Sequence, residues 1–389
     1  MPTATTQRRL SQISPLILQS EIRSMSVECD RIGGVNLAQG VCDTELPPPA
    51  ARGAVDAIDR GLNTYTRLDG IAPLRAAIAA KLSAFNGIRA DPETEILVTS
   101  GATGALYTAA LALLDPGDEV ILFEPFYGYH WNTMLSLRAV PVAVTLDAPN
   151  WHLDLDRLRA AITPRTRAIL VNTPSNPCGK VFSLAELEAI AALAIEHDLF
   201  VFTDEIYEYF LFDGRRHISL ATLPGMSERT ITISGLSKTF SITGWRVGYL
   251  TASSRWLPTI GYFHDLVYIC APGPFQYGAA AGLIGLPAAF YSDLAREYQQ
   301  KRDQLCAALT DAGLAPSVPE GAYYVLADAT RIAGRTAAEK ARTLLAATGV
   351  AAVAGSAFFA SDGGENLLRF CFGKQPEALD RACAALRKL

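Results

Sequence analysis

Charge is scarce in this chain. Only 19% of its 389 residues are Asp, Glu, Lys or Arg, while half are hydrophobic. That balance supplies apolar surface for a large core and excludes a disordered chain. Basic residues are outnumbered, 34 against 39, giving a net charge of −5, and they form no long run. Nothing therefore points to nucleic acid or to an anionic membrane surface as a partner. The seven cysteines, at positions 29, 42, 178, 270, 306, 371 and 383, show neither CxxC nor Cys/His spacing. An odd, scattered set fits reduced thiols of the cytoplasm better than disulfides or a metal site, and no metal is expected. No apolar stretch approaches the roughly 20 residues that a membrane helix needs. The opening MPTATTQRRL has two arginines but no apolar h-region and no small-residue cleavage site. Internal repeats and low-complexity linkers are absent too. The length suggests two or three domain-sized units.

What is present is a repeated alternation. Residues 1 to about 45 read as an irregular arm with one helical piece near Leu16 to Met25. A helix to about Arg60 and another from Pro73 to Phe85 flank the polar aromatic loop 63–70. Short apolar runs then recur, with loops and, between several of them, helical stretches: Ile96 to Thr99, Val120 to Phe123, Val140 to Leu146, Ala168 to Asn172, Leu199 to Thr203, Thr230 to Ile233 and Val247 to Leu250. Apolar strands of this length between helices predict a mostly parallel seven-stranded sheet covered by helices, an α/β architecture. Ser183 with Glu186 forms a capping box that starts one of those helices. After about residue 285 the texture changes to a long helix (Ala288 to Ala312), three short strand candidates (Ala322 to Leu326, Val350 to Val353, Leu367 to Phe372) and a last helix from Pro376. This predicts a large domain over 46–284 and a smaller α+β domain built from 1–45 and 285–389.

Ligands of such sheets sit at the carboxyl ends of the strands, and there the informative loops fall. Lys238 lies in Ser234-Gly235-Leu236-Ser237-Lys238, a strand-to-loop corner with hydroxyls around it and Arg246 eight residues on. A lone lysine of this kind is usually a solvated surface group. A corner-held amine, however, can attack an aldehyde, and hydroxyls beside a guanidinium suit a phosphate. Pyridoxal phosphate (PLP) carries both. Ser100-Gly101-Ala102-Thr103-Gly104 joins a strand to a helix and offers an anion free N–H groups and the helix dipole. Asn172 to Gly179 is a rigid proline turn that would hold the Asn176 amide still. Asp204 closes a strand with Tyr207 three residues on; it either caps the next turn or holds a pyridine nitrogen in its protonated form. Tyr127, after Pro125-Phe126, offers a face to a flat ring or simply fills core. Arg369 sits on an apolar strand, so it is either salt-bridged or kept for an anionic ligand.

Together and in this order, these segments resemble the PLP-dependent class I/II aminotransferase family of fold type I, the aspartate aminotransferase superfamily. The resemblance covers nearly the whole chain and is sharpest over Ser234 to Gly248. It implies a PLP-dependent transferase of amino acids and 2-oxo acids, acting as a homodimer with ping-pong kinetics. By similarity, Lys238 carries the cofactor and moves a proton, Asp204 meets the ring nitrogen, and Asn176 and Tyr207 meet the ring hydroxyl. Tyr127 stacks on the ring. Gly101, Ala102, Thr103, Arg246, Ser234 and Ser237 supply the phosphate site, with Tyr65 reaching in from a second subunit. Arg369, Gly40 and Asn176 take the substrate carboxylate. Many relatives carry Ser or Thr where this chain has Gly235, which leaves the serine ligand open between Ser234 and Ser237.

Two alternatives remain on the same fold: a C–S β-lyase or cyclopropane-forming synthase, and a non-catalytic PLP-sensing domain. The latter usually carries a DNA-binding helix-turn-helix ahead of a fold-like pattern that here begins near residue 30. Arg67 is a candidate reader of a second carboxylate. Apolar and aromatic residues around Ile17, Val41 and Tyr323 suit a neutral or aromatic amino donor better.

Overall fold

The computed structural model describes residues 9–17 and 21–389. The helical piece expected near Leu16 to Met25 therefore falls partly outside the described residues. What is described there is a 3₁₀ turn at Ser14–Leu16 and helix α1 at Glu21–Arg31. Strand β1 (Val35–Asn36) and helices α2 (Pro48–Asp59) and α3 (Ala72–Lys81) follow. The helix expected to reach Phe85 ends at Lys81 and becomes a wider turn over Leu82–Asn86. That turn points Asn86 inward to accept from Lys81 Nζ at 2.8 Å.

The large sheet contains all seven expected strands: β2 (Ile96–Ser100), β3 (Glu119–Glu124), β4 (Val140–Thr145), β5 (Thr166–Asn172), β6 (Phe200–Asp204), β7 (Thr230–Gly235) and β8 (Val247–Thr251), in the order β2-β8-β7-β6-β5-β3-β4. Only β8 runs antiparallel to its neighbours. All but the edge strand β4 are buried on both faces, as parallel sheets are. Helices α4 (Gly101–Leu113), α5 (Gly128–Ser136), α6 (Leu155–Ala161), α7 (Leu184–Glu196), α8 (Leu257–Tyr268) and α9 (Gly273–Gly285) complete this part. The capping box of α7 is formed, with Ser183 and Glu186 each accepting from the other's backbone N–H.

The remaining chain holds α10 (Ala288–Asp311), β9 (Ala315–Ser317), β10 (Tyr324–Asp328), α11 (Ala337–Thr348), β11 (Val350–Ala351), β12 (Val353–Ala354), β13 (Leu367–Cys371) and α12 (Pro376–Leu386). A four-stranded antiparallel sheet runs β12-β13-β10-β9, and β1 pairs with β11 in parallel. One apolar cluster joins Met25 to Cys42 with residues 294–386 and with Ile206, Tyr207, Phe210 and Phe212 from the large part. The segment that follows Asp204 thus roots in the core of the smaller sheet. No described helix is long and apolar enough to cross a membrane. All seven cysteines are free thiols.

Candidate active site

Four strands of the large sheet end side by side. Register pairs Asn172 of β5 with Asp204 of β6, Asp204 with Ile233 of β7, Gly235 of β7 with Gly248 of β8, and Ser100 of β2 with Val247 of β8. Because β8 is antiparallel, its first residues share that edge, and Arg246 stands just before it.

Lys238 lies three residues beyond the end of β7. Its corner is held by backbone bonds from Phe240 to Leu236 (2.9 Å) and from Ile242 to Ser237 (3.0 Å). Nζ donates to the Gly40 carbonyl at 3.4 Å and lies 5.9 and 5.8 Å from the ring centres of Tyr207 and Tyr323. Among the described residues no carboxylate pairs with it. Burial pushes the Lys238 ammonium below its ordinary pKa, Arg246 adds to that, and Asp204 works against it. A larger uncharged fraction makes the amine a nucleophile.

Beside the lysine, the start of α4 forms a cradle. Gly101 has φ +71, the left-handed region that glycine tolerates. A Cβ on Gly101 would stand 2.5 Å from the Arg246 guanidinium, and one on Gly248 would stand 2.6 Å from the Ala102 nitrogen. The first N–H groups of α4 and the Arg246 guanidinium therefore converge where only glycine fits. Arg246 donates to the Thr243 carbonyl at 3.0 Å and has no acid partner among the described residues. Below the cradle, the Ser100 N–H donates to His264 Nε2 at 3.1 Å. Burial drops the His264 pKa to about 4, so that nitrogen stays an acceptor. Thr103 is exposed on the first turn of α4, and Ser237 is buried.

Ser234 requires a correction. Its hydroxyl donates to Glu208 Oε1 at 2.7 Å, within a buried cluster with Lys81, Asn86 and Tyr249. Side chains alternate along a strand, so Ser234 points to the opposite face from Gly235 and Gly248, away from the cradle. That leaves Ser237 as the serine candidate for the phosphate.

At the end of β6, Asp204 Oδ1 accepts from the Ile206 N–H at 3.2 Å, which is the turn cap, and Oδ2 lies 2.8 Å from His130 Nε2. The turn cap is formed, and the second carboxylate oxygen faces His130. Asn172 ties the neighbouring loop down: its Nδ2 donates to the Asp204 carbonyl at 2.9 Å and its Oδ1 accepts from the Asn176 N–H at 2.8 Å. Tyr127 is half-buried, edge-on to His130 with ring centres 5.2 Å apart. Tyr207 OH and Tyr324 OH are 3.0 Å apart. Sequence reasoning missed His130, since its partner lies 74 residues away on another element.

Arg369 is 1% exposed on β13, between β12 and β10. One end donates to Asn176 Oδ1 (3.0 Å) and the other to the Ala38 carbonyl (2.6 Å), while Nε has no partner. Its faces are covered by Tyr324 and Phe358, 4.5 and 4.9 Å from Cζ. Among the described residues no acid pairs with it. A buried charge without a counter-charge is costly, and this one is held in shape by neutral oxygens and aromatic faces.

The sequence profile of the family "Aminotransferase class I and II" matches residues 32–386. The chain belongs to this family. A probable N-succinyldiaminopimelate aminotransferase of Mycobacterium tuberculosis is 40% identical over 376 residues, covering 94% of each chain. An aromatic-amino-acid aminotransferase of Thermococcus litoralis is 34% identical, covering 98% of this chain and 97% of its own. Among solved structures, YbdL of Escherichia coli, described with a methionine aminotransferase function, superposes with a TM-score of 0.94 at 32% identity, over 98% of this chain and 100% of its own. Aminotransferases of this class use PLP, so the chain is a PLP-dependent aminotransferase. Its residues fit that cofactor: a buried amine at a strand end with no acid partner among the described residues, a glycine-lined cradle of N–H groups beside a guanidinium, and a carboxylate on the same sheet edge.

Two residues stand apart from the cluster. Tyr65 is 78% exposed on the loop between α2 and α3. That loop is anchored by buried Arg75, which bonds Asp69 and Glu93 at 3.2 and 2.7 Å. Arg67 on the same loop has both guanidinium ends engaged, with Asp69 at 2.7 Å and Glu93 at 3.3 Å.

Proposed function

We propose that this aminotransferase moves the amino group of an L-amino acid with a neutral or aromatic side chain to a 2-oxo acid such as 2-oxoglutarate, in two half-reactions at one site. The observation that carries this reading is Arg369, a buried guanidinium that among the described residues has an unpartnered Nε and no acid beside it. An α-carboxylate would complete it bidentately. Gly40 and Asn176 line the same seat.

The bound cofactor would supply an electron sink for the charge left at the substrate Cα. Lys238 Nζ would hold the cofactor and, as a free amine, would take the Cα proton and deliver it onward. The Asp204 carboxylate, oriented by His130, would favour the protonated form of the ring nitrogen. Because Asn176 Oδ1 accepts from Arg369, its Nδ2 is left to donate to the ring hydroxyl oxygen beside Tyr207. Tyr127 would cover a ring face. The N–H groups of Gly101, Ala102 and Thr103, with Arg246 and Ser237, would hold the phosphate. We assign this machinery to a large domain over 46–284 and a smaller one over 1–45 and 285–389.

Arg67 is engaged by two acids and so differs from the waiting Arg369, which supports a donor without a second carboxylate. The relatives' names include aromatic amino acids and methionine. A panel of amino donors with 2-oxoglutarate tests this. Phenylalanine, tyrosine and methionine should exceed aspartate in kcat/KM; aspartate as the best donor would reject the side-chain assignment. Arg369→Lys should lower kcat/KM for every α-amino acid donor by a similar factor, about 100-fold, because an ammonium cannot reproduce the guanidinium fork. A loss confined to one donor class would make Arg369 a side-chain reader.

We further place the enzyme in the cytoplasm as a homodimer, on its free thiols and on exposed apolar residues of α8 and α9 (Tyr262, Leu266, Ile284). Tyr65 would then reach the phosphate of the partner's site. Tyr65→Phe should weaken cofactor retention several-fold. Mixed dimers of Tyr65→Phe with Lys238→Ala should recover activity at one site, where the first chain brings Lys238 and the second Tyr65. A monomer fully active at high dilution would rule this out.

A further inference from the structure

The hydroxyl oxygens of Tyr207 and Tyr324 are 3.0 Å apart, and either could donate to the other. Both side chains are buried. Burial raises both phenols above their ordinary pKa, so each keeps its proton at neutral pH. Only one proton can lie between the two oxygens. If Tyr207 donates to an anionic oxygen of the cofactor, as the preceding section assigns, then Tyr324 must be the donor within the pair.

Two further features surround the Tyr324 hydroxyl. The Arg369 guanidinium lies over its ring, 4.5 Å from the centre. A cation on that face draws electron density from the phenol and makes its O–H a stronger donor. The hydroxyl also needs Gly40: a Cβ there would stand 2.0 Å from it. The Gly40 carbonyl in turn accepts from Lys238 and from Tyr323. A phenylalanine at 324 would fill the same apolar space, so core packing alone does not call for the oxygen.

We propose that Tyr324 is a positioning residue: by donating to Tyr207 it fixes the Tyr207 proton on the cofactor's phenolate oxygen and strengthens that bond. The inference rests on the Tyr207 assignment above. Hydrogen bonds in a chain polarise one another, by about 10–30% per bond. Removing the first donor therefore weakens the second without deleting it.

The sign follows from charge. A weaker bond from Tyr207 leaves the phenolate oxygen more negative. That oxygen holds more tightly the proton it shares with the nitrogen contributed by Lys238, so the midpoint of the visible-band titration rises. The ionisable groups facing Tyr324 are Arg369 and Cys371 from β13, Tyr207 from the turn after β6, Tyr127 just before α5, and its neighbour Tyr323. Around Lys238 stand Cys42, Cys371, Asp204 and Arg246. Tyr324→Phe removes none of these side chains.

The test is a pH titration of the visible absorbance of the holoenzyme, with cofactor dissociation and thermal unfolding measured alongside. Tyr324→Phe should move the midpoint up by about half a pH unit, keep the fold, and bind cofactor several-fold less tightly. Tyr207→Phe should move it further in the same direction. The double variant should go no further than Tyr207→Phe alone, because Tyr324 acts through Tyr207. An unchanged midpoint in Tyr324→Phe, or a double variant in which the two shifts add in full, would overturn the proposal. A wild-type protein with no visible band would overturn the cofactor site itself and this inference with it, a failure that reads differently from either.

Discussion

Replacing Lys238 with alanine is expected to leave a folded protein that has lost at least about 10⁴-fold in turnover. The substitution removes two functions at once: covalent holding of the cofactor, and proton transfer at the substrate Cα, which alone is worth roughly 10²–10⁴-fold. Among the described residues no ion pair depends on this side chain, whose Nζ makes a long bond to the Gly40 carbonyl. Stability should therefore change little, or rise slightly, because a buried amine with a depressed pKa no longer has to be accommodated. For such a group the sign is clear: it weakens the apo fold as pH falls below the unfolded pKa, and alanine removes that penalty. Turnover by single-substrate absorbance and unfolding by circular dichroism separate the two effects. A Lys238→Ala enzyme retaining a tenth of its activity would end the assignment.

The second large effect is expected at Asp204. Alanine there removes the only negative charge assigned to the ring nitrogen, and an opposite charge at contact distance is worth about 1–3 pKa units. The chemical step should slow by roughly 10²–10³-fold, corresponding to about 3–4 kcal/mol of lost stabilisation. Asp204→Glu should keep much of the rate, because it preserves the charge even as it disturbs the bonds to His130 and Ile206. Asp204→Asn, which keeps the shape and loses the charge, should behave like alanine. These comparisons must be made at saturating cofactor, so that affinity and chemistry are read separately. Near-wild-type rates in Asp204→Ala would reduce the residue to a turn cap.

Much of this was readable in the residues because the large sheet is made of short, mostly apolar runs, several followed by loops rich in Gly, Pro and Ser. Such strands can only be buried on both faces, and ligands then have one edge to occupy. Lys238, Asp204, Asn176 and Gly101 lie on consecutive strand ends and were found that way. What escaped notice depends on pairings between distant elements. His130 meets Asp204 across 74 positions and Tyr324 meets Tyr207 across 117, and no local pattern encodes either contact. Ser234 was misplaced by a single step of strand alternation, which local composition does not resolve. The early end of α3 has a similar origin, since Asn86 turns inward to satisfy the buried Lys81 and Glu208.

Borohydride trapping tests the central claim most directly. Purified protein should be yellow, borohydride should bleach it, and peptide mapping should find the reduced cofactor adduct on Lys238 and on no other lysine. An adduct on Lys81, Lys180 or any other lysine, or no adduct from a yellow and active protein, would contradict the account.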